Sequence, residues 1–404
     1  MADLTTRSLS ADDHELFFDV FTAAFLDDSR DSAVERYRAI FDPALAHGTF
    51  DGDEAIGVAG RFETGITLPG SVQHPVAAIT AVGVKPGHRR RGALTSLMRA
   101  QLDDVRGNSS GLAALYASEA SIYGRFGFGV ASYESHLTLP RGAAFLSTVD
   151  VDGRRVSEVD RETALEFVHQ RYPAVAATRT GWLSRADGSW EVRVIDDRSE
   201  RGDLGETRFA LHPDGYIIYR PKPNWTNQGP AYHLRVLELV ASTPQAYAAL
   251  WRYLLDFDLV GEVHWRKAAV DEPVVSMLAN SRLAERQIID ALWVRLVDLD
   301  RVLEARRYSA AVDVVLDVTD SFCPWNAGRW RLTTGAGGVA SVARTDDPGQ
   351  IALDVSDLAA AYLGGNTLSG LARSGRVAEL APGALVEASR AFATDDAPHC
   401  LEGF

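Results

Sequence analysis

His88, Arg89, Arg90 and Arg91 stand directly before Gly92. Guanidinium groups bind phosphate through charge-assisted, often bidentate hydrogen bonds. A glycine beside them has no side chain to keep a diphosphate away from the backbone. Leu94, Leu97, Met98 and Leu102 follow at helical spacing, so Gly92 opens a helix. The first turn of a helix leaves N–H groups unpaired and carries roughly half a positive charge. A phosphate seated there is stabilised without a dedicated side chain. On charge alone a solvated basic turn would serve as well; the order of the parts favours an anion seat.

Two stretches must position that turn. Ahead of it runs an apolar segment, Ala78 to Val84, with Val82 and Val84 at strand spacing, closed by Pro86 and Gly87. Beyond the helix, Ala113 to Ala131 reads as a short buried strand, a helical turn and an end punctuated by Gly124, Gly127 and Gly129. Strand, basic turn and helix, then a second strand, is an α/β order. The second strand, Leu112 to Ala117, is expected parallel to the first.

The Val-x-Val strand, the proline loop and Arg89-x-x-Gly92 resemble the acetyl-CoA motif of GNAT-type N-acetyltransferases, with Leu94 departing from its last small residue. Ser118-Glu119 and Ile122-Tyr123-Gly124-Arg125-Phe126-Gly127-Phe128-Gly129, with HRRRG upstream, closely resemble the Eis (enhanced intracellular survival) family. That resemblance extends over nearly the whole chain and implies an acetyl-CoA-dependent amine acetyltransferase. It implies that acetyl-CoA is held by Val82, Gly83, Val84, Arg89, Arg90, Arg91, Gly92, Ala93, Leu94, Thr95, Ser118 and Glu119, with no metal. A strand N–H in the bulged segment Val82 to Val84 would polarise the thioester carbonyl. Tyr123 is the candidate general acid for the leaving thiolate; a packing tyrosine is its bland alternative. The chain's own α-carboxylate at Phe404 would act as base. Phe25, Asp27 and, less directly, Tyr37 would line the acceptor cleft. The acid of the family's tail stands one residue earlier here, as Glu402 before Gly403, and is the remaining candidate substrate contact.

Composition bounds the alternatives. With 404 residues the chain should divide into two or three domains. Apolar content is 46% and charged content 24%, in the range of soluble globular proteins. There is no run long enough for a membrane span, and the acidic N-terminus does not read as a signal peptide. A cytoplasmic location is expected, with Cys323 and Cys400 as free thiols. No Cys/His spacing suggests zinc. A net charge of −14 argues against a nucleic-acid partner and suits polyamine acceptors.

The expected fold class is α/β and α+β: tandem GNAT domains, the second degenerate, then a sterol-carrier-protein-like domain. The expected boundaries are 1–148, 149–292 and 293–404. In the second unit a strand at Leu234 to Ser242 meets a helix begun by Pro244, with no Arg-x-x-Gly between them. The third is expected to open at Ala291 with a meander followed by helices. The expected reaction is N-acetylation of aminoglycoside-like polyamines at several positions. Peptide lysines are the alternative acceptor, and lipid binding with vestigial GNAT parts is the alternative of another class. A homohexamer is what the resemblance implies.

Overall fold

The computed structural model describes residues 4–27, 34, 37, 40–107, 110–186, 189–190, 201–335 and 337–404. Helix α1 (His14–Phe25) buries Phe17, Phe18, Val20 and Ala24. Phe17, Phe18 and Val20 form one apolar cluster with Phe41, Phe50 and Val58. The apolar residues Val34, Tyr37, Ile40 and Phe41 read as the face of a second helix, which lies mostly outside the described residues; Val34 and Tyr37 are helical and Ile40 is in a turn.

The first sheet contains β1 (Leu4–Ser8), β2 (His47–Asp51), β3 (Glu54–Leu68), β4 (Val72–Val84), β5 (Leu112–Tyr116) and β6 (Gly129–Val130). The second contains β7 (Tyr133–Pro140), β8 (Ser157–Val159), β9 (Arg208–His212), β10 (Gly215–Lys222), β13 (Tyr232–Ala241), β14 (Val260–Ala269) and β15 (Glu285–Asp290). A two-residue ladder, β11 (Trp225–Thr226) with β12 (Gly229–Pro230), stands apart. One further strand, β16 (Leu292–Leu296), returns to the first sheet. The orders are β1-β2-β3-β4-β5-β16-β6 and β8-β9-β10-β13-β14-β7-β15.

Position by position the two orders match, and the sixth place in each is filled by a strand from the other half of the chain. β7 follows the first sheet in sequence but pairs with β14, while β16 follows the second and pairs with β5. Sheet membership therefore crosses the boundaries expected at 148 and 292. The segment expected to begin the third unit completes the first sheet instead. β16 is buried at every position, and β7 carries the buried pair Leu137 and Leu139 at alternate positions, so either sheet can bury their apolar residues.

The third unit starts at the helix Leu299–Ala305. Strands β17 (Val312–Thr319), β18 (Gly328–Thr334) and β19 (Ala340–Arg344) form the expected antiparallel meander. The next strand, β20 (Ile351–Asp354), runs parallel to β17 and carries an unexpected edge strand, β21 (Val377–Glu379). Helices Val355–Tyr362, Leu368–Arg373 and Ala384–Phe392 follow as expected. Their core is continuous with one face of the first sheet, through Ile66, Val76, Leu112, Ala114, Leu292 and Val294. On β16, Arg295 is fully buried against Asp320, 2.6 Å away at the head of the third unit's loop. Among the described residues no helix is long and apolar enough to cross a membrane.

Candidate active site

Strands β4 and β5 are parallel partners only at Ala77–Ala113 and Ala78–Ala114, and separate beyond. Just past the split, β4 bulges. Thr80 pairs with Gly60 and Gly83 with Val58, leaving Ala81 and Val82 opposite one residue. Ala81 has φ +51°, an unfavourable value for a side-chain-bearing residue. The bulge is therefore at Ala81–Val82, one step before the expected Val82 to Val84, because Gly83 and Val84 are back in register. Backbone groups released by a bulge are left for another partner. Gly83 is required by what overhangs it: a Cβ there would lie 2.6 Å from Ala24 Cβ and 3.4 Å from the Phe25 ring. The end of α1 thus sits directly over the bulged strand.

After β4 comes a short 3-10 turn, Pro86–His88, and then helix α2 (Ala93–Gly107). Ser96 is bonded to Gly92 O, so the N–H groups of Ala93, Leu94 and Thr95 belong to the first turn, which has no intrahelical acceptors. Gly92 adopts φ +95° and nothing lies within 4 Å of where its Cβ would be. Left-handed backbone and open space coincide at the position where a diphosphate would approach. Arg90 is exposed with φ +63°. Arg91 is held by Asp51 at 2.8 Å and by His88 Nδ1 at 3.1 Å. Arg89 reaches back to Ala24 O at 3.5 Å. All three arginines are exposed, and two of them, Arg89 and Arg91, are also tied to the surrounding chain. Ala93 is buried, Leu94 half-buried and Thr95 exposed.

Beyond β5, Ser118 and Glu119 are exposed and a single helical turn, α3 (Ala120–Tyr123), carries Tyr123 inward. Tyr123 is 5% exposed and packs edge-on against Phe128, at 6.0 Å between ring centres. Burial, with Glu119 adding its charge, pushes its phenol up to about 12. At neutral pH it is a proton-bearing donor.

On the other flank Phe25 and Tyr37 are each 44% exposed, although large and aromatic. Leu26 ends α1 in the left-handed region, and Asp27 N–H returns to Thr22 O at 3.0 Å, leaving the Asp27 side chain exposed. Phe25 is brought to the bulge. Tyr37 and Asp27 stand on the same overhang, without a described contact to it.

The chain's last residues return to this end of β5. Phe404 packs edge-on against Tyr116, the last residue of β5, at 5.4 Å. Tyr116 donates to Cys400 O at 3.3 Å, and Lys267 lies 4.6 Å over the Tyr116 ring while donating to Glu402 O at 2.8 Å. The Glu402 carboxylate is engaged within the chain, by Arg185 Nε at 2.6 Å and the Tyr172 hydroxyl at 3.2 Å. Cys323 and Cys400 are buried free thiols, as expected.

Sequence reasoning missed Tyr116, Arg185 and Lys267. Their relation to the tail spans more than a hundred residues, so spacing carries no trace of it. Lys267 did offer one sign, as one of only three lysines in an arginine-rich chain. Spacing equally hides two groupings that bring three ligating atoms within 4.8 Å: His233, Glu262 and His264, and Asp152, His212 and Asp214. In the latter, Arg154 already pairs with both aspartates.

A bulged strand splayed from a parallel neighbour, with a glycine-opened helix behind it, is the acetyl-CoA site of GNAT-type acetyltransferases. Residues 5–131 and 181–296 each match an acetyltransferase (GNAT) domain family, and 299–401 match the sterol carrier protein domain. An uncharacterized N-acetyltransferase of Streptomyces avermitilis is 40% identical over 98% of this chain and 99% of that protein. The N-acetyltransferase Eis of Mycobacterium tuberculosis is 31% identical over 97% of each chain. The crystal structure of Eis1 from Mycobacterium abscessus superposes with a TM-score of 0.88 at 33% identity, covering 99% of this chain and 100% of that one. The chain belongs to the Eis family of N-acetyltransferases.

Proposed function

We propose that this N-acetyltransferase acts on aminoglycoside-like polyamines, acetylating them at several positions, with acetyl-CoA seated along β4 and α2. The first-turn N–H groups, open Gly92 and exposed Arg90 fit a diphosphate, and the gap between β4 and β5 fits an extended arm. Acetyl-CoA supplies an activated acyl group when bound. An N–H of the bulged segment at Ala81 to Val84 donates to the carbonyl oxygen as it gains charge. Tyr123 holds its proton at Oη, ready to donate to the leaving sulfur. With its pKa raised to about 12, it is a hydrogen-bond donor first and transfers the proton only as charge builds on sulfur in the same dry surroundings. The Phe404 α-carboxylate takes the proton of the attacking amine, with its ring seated on Tyr116.

The observation that carries the acceptor class is the rim of the opening. Asp27, two residues beyond the exposed aromatic Phe25, and Glu119, on the β5 flank, are exposed acids on a chain of net charge −14. Cations are concentrated by such a field, and a roomy acidic rim admits a multiply charged amine in more than one pose. Release of coenzyme A thiol from acetyl-CoA in the presence of neomycin, followed by mass spectrometry of the product, tests this. Mono- and poly-acetylated neomycin is the expected result. Turnover with a lysine peptide and none with any aminoglycoside would replace the acceptor class. The homohexamer implied by the family is tested by sedimentation velocity.

A further inference from the structure

The second sheet repeats the opening of the first. Strands β13 and β14 are parallel partners from Tyr232–Val260 to Val236–Trp265 and then part. Just beyond, β13 bulges against β10: Val236 pairs with Tyr219 and Glu238 with Ile218, leaving Leu237 extra. The residue after the bulge is Gly83 in the first sheet and Glu238 in the second. Where the first sheet is kept bare, the second carries a buried carboxylate.

Glu238 is 1% exposed. It accepts two hydrogen bonds from Arg185, at 3.1 and 2.6 Å, and one from the Tyr216 hydroxyl at 2.5 Å. Arg185 is itself buried, with its guanidinium 3.7 Å over Tyr172 and 4.3 Å over Trp190. Burial opposes its charge, and the carboxylates of Glu238 and Glu402 outweigh that and keep it charged. One guanidinium is thus shared by two acids, and the second belongs to the chain's tail.

Apart from Cys400, which Tyr116 of the first sheet holds, the residues before Glu402 are fixed to the same half. Ala397 N–H donates to Asp271 at 2.8 Å, and His399 N–H to Thr180 O at 3.0 Å. The His399 ring accepts from Trp182 Nε1 at 3.1 Å and, as the Nε2–H tautomer this requires, donates to Lys267 O at 2.8 Å. Leu401 is fully buried in the core of the second sheet. Only Gly403 is exposed before Phe404 reaches Tyr116 on the first sheet. The final residues form a strap, docked mainly on the second sheet, held to the first at Cys400 and ending there at Phe404.

We propose that the place beside the second sheet's bulge has become the receptor for the chain's own C-terminus, and that Arg185 is the positioning residue that sets the reach of the Phe404 carboxylate into the first sheet's site. Arg185 touches no reacting atom; it acts through Glu402, two residues from the end. The catalytic half of the proposal rests on the reading of Phe404 as base; the docking half does not.

Glu402→Gln removes the tail's charge and leaves the Arg185–Glu238 pair whole, so the fold survives. The expected result is a fall in kcat of about 10- to 100-fold with the KM for acetyl-CoA within twofold, as a misplaced catalytic group produces. Carboxypeptidase A should release Phe404 at least tenfold faster, and Glu402→Asp should restore part of both. In a chain lacking Phe404, Glu402→Gln should cost no further activity, a non-additivity that general destabilisation would not give. Arg185→Met, where it folds, should release Phe404 at least as fast. Unchanged kcat and unchanged Phe404 release in Glu402→Gln would overturn the proposal. Faster release with unchanged kcat would keep the dock and remove the positioning role. Full activity of the chain lacking Phe404 would instead remove the base assignment, with the dock then decided by the release rates.

Discussion

Two strand pairs in this molecule open in the same way and are used differently. Between β4 and β5 the backbone is bulged at Ala81–Val82 and followed by Gly83, and a glycine at φ +95° opens the next helix. Between β13 and β14 the bulge is at Leu237 and the next residue is the buried Glu238. The helix that follows, Pro244–Leu255, is begun by Pro244 and capped by Thr243, whose side chain accepts from Ala246 N–H. A proline and a side-chain cap remove two of the N-terminal donors that an anion needs. On the proposed reading, local chemistry rather than sheet topology decides which opening can take a nucleotide.

Five substitutions or conditions sharpen or break that contrast. The largest effect is expected from Tyr123→Phe: steady-state kinetics should show kcat lower by about 10²- to 10⁴-fold, with little change in the KM for acetyl-CoA. Deleting Phe404 should lower kcat by about 10²-fold in the same assay, since a displaced catalytic group costs that much. Wild-type turnover in both variants would sink the assignment of roles.

Acid should loosen the tail. Burial holds His399 neutral and lowers its pKa from 6.5 to about 3. The unfolded chain therefore binds the extra proton first. This contribution to stability is complete above pH 6.5 and fades as pH falls toward 3, by an amount on the order of a few kcal/mol. Denaturant melts of His399→Gln should show a flatter acid limb over that window; an identical limb would assign it elsewhere.

Gly92→Val places a β-branched residue at a left-handed position, beside the proposed diphosphate seat. The strain of about 1–3 kcal/mol there should weaken acetyl-CoA binding roughly tenfold by calorimetry. The wild-type titration should saturate at one acetyl-CoA per chain. At the other opening Thr243→Ala should cost only about 1 kcal/mol of stability, read by thermal melting, and leave acetyl-CoA affinity unchanged.

The first opening was legible because it is local. Val82, Pro86, Arg89, Gly92 and Leu97 lie within a short span, and each has a type that its place demands. The exact place of the bulge was not, since register appears only in the pairing with Gly60 and Val58. The swap of β7 and β16 is invisible for a related reason. Leu137 and Leu139, like Leu292 and Val294, read as strand core whichever sheet receives them. The third unit's helices fell where apolar spacing placed them, whereas β21 is too short to carry a period. For Glu402 the sequence offered a carboxylate near the end and nothing about Arg185, whose partners lie 53 and 217 residues away.

The most direct test is a crystal structure of the chain with acetyl-CoA. The account expects the diphosphate on the amides at the start of α2 beside Gly92, and the thioester between the parted ends of β4 and β5, facing Tyr123. A diphosphate bound beside β13 and β14, or a thioester turned away from Tyr123, would contradict it.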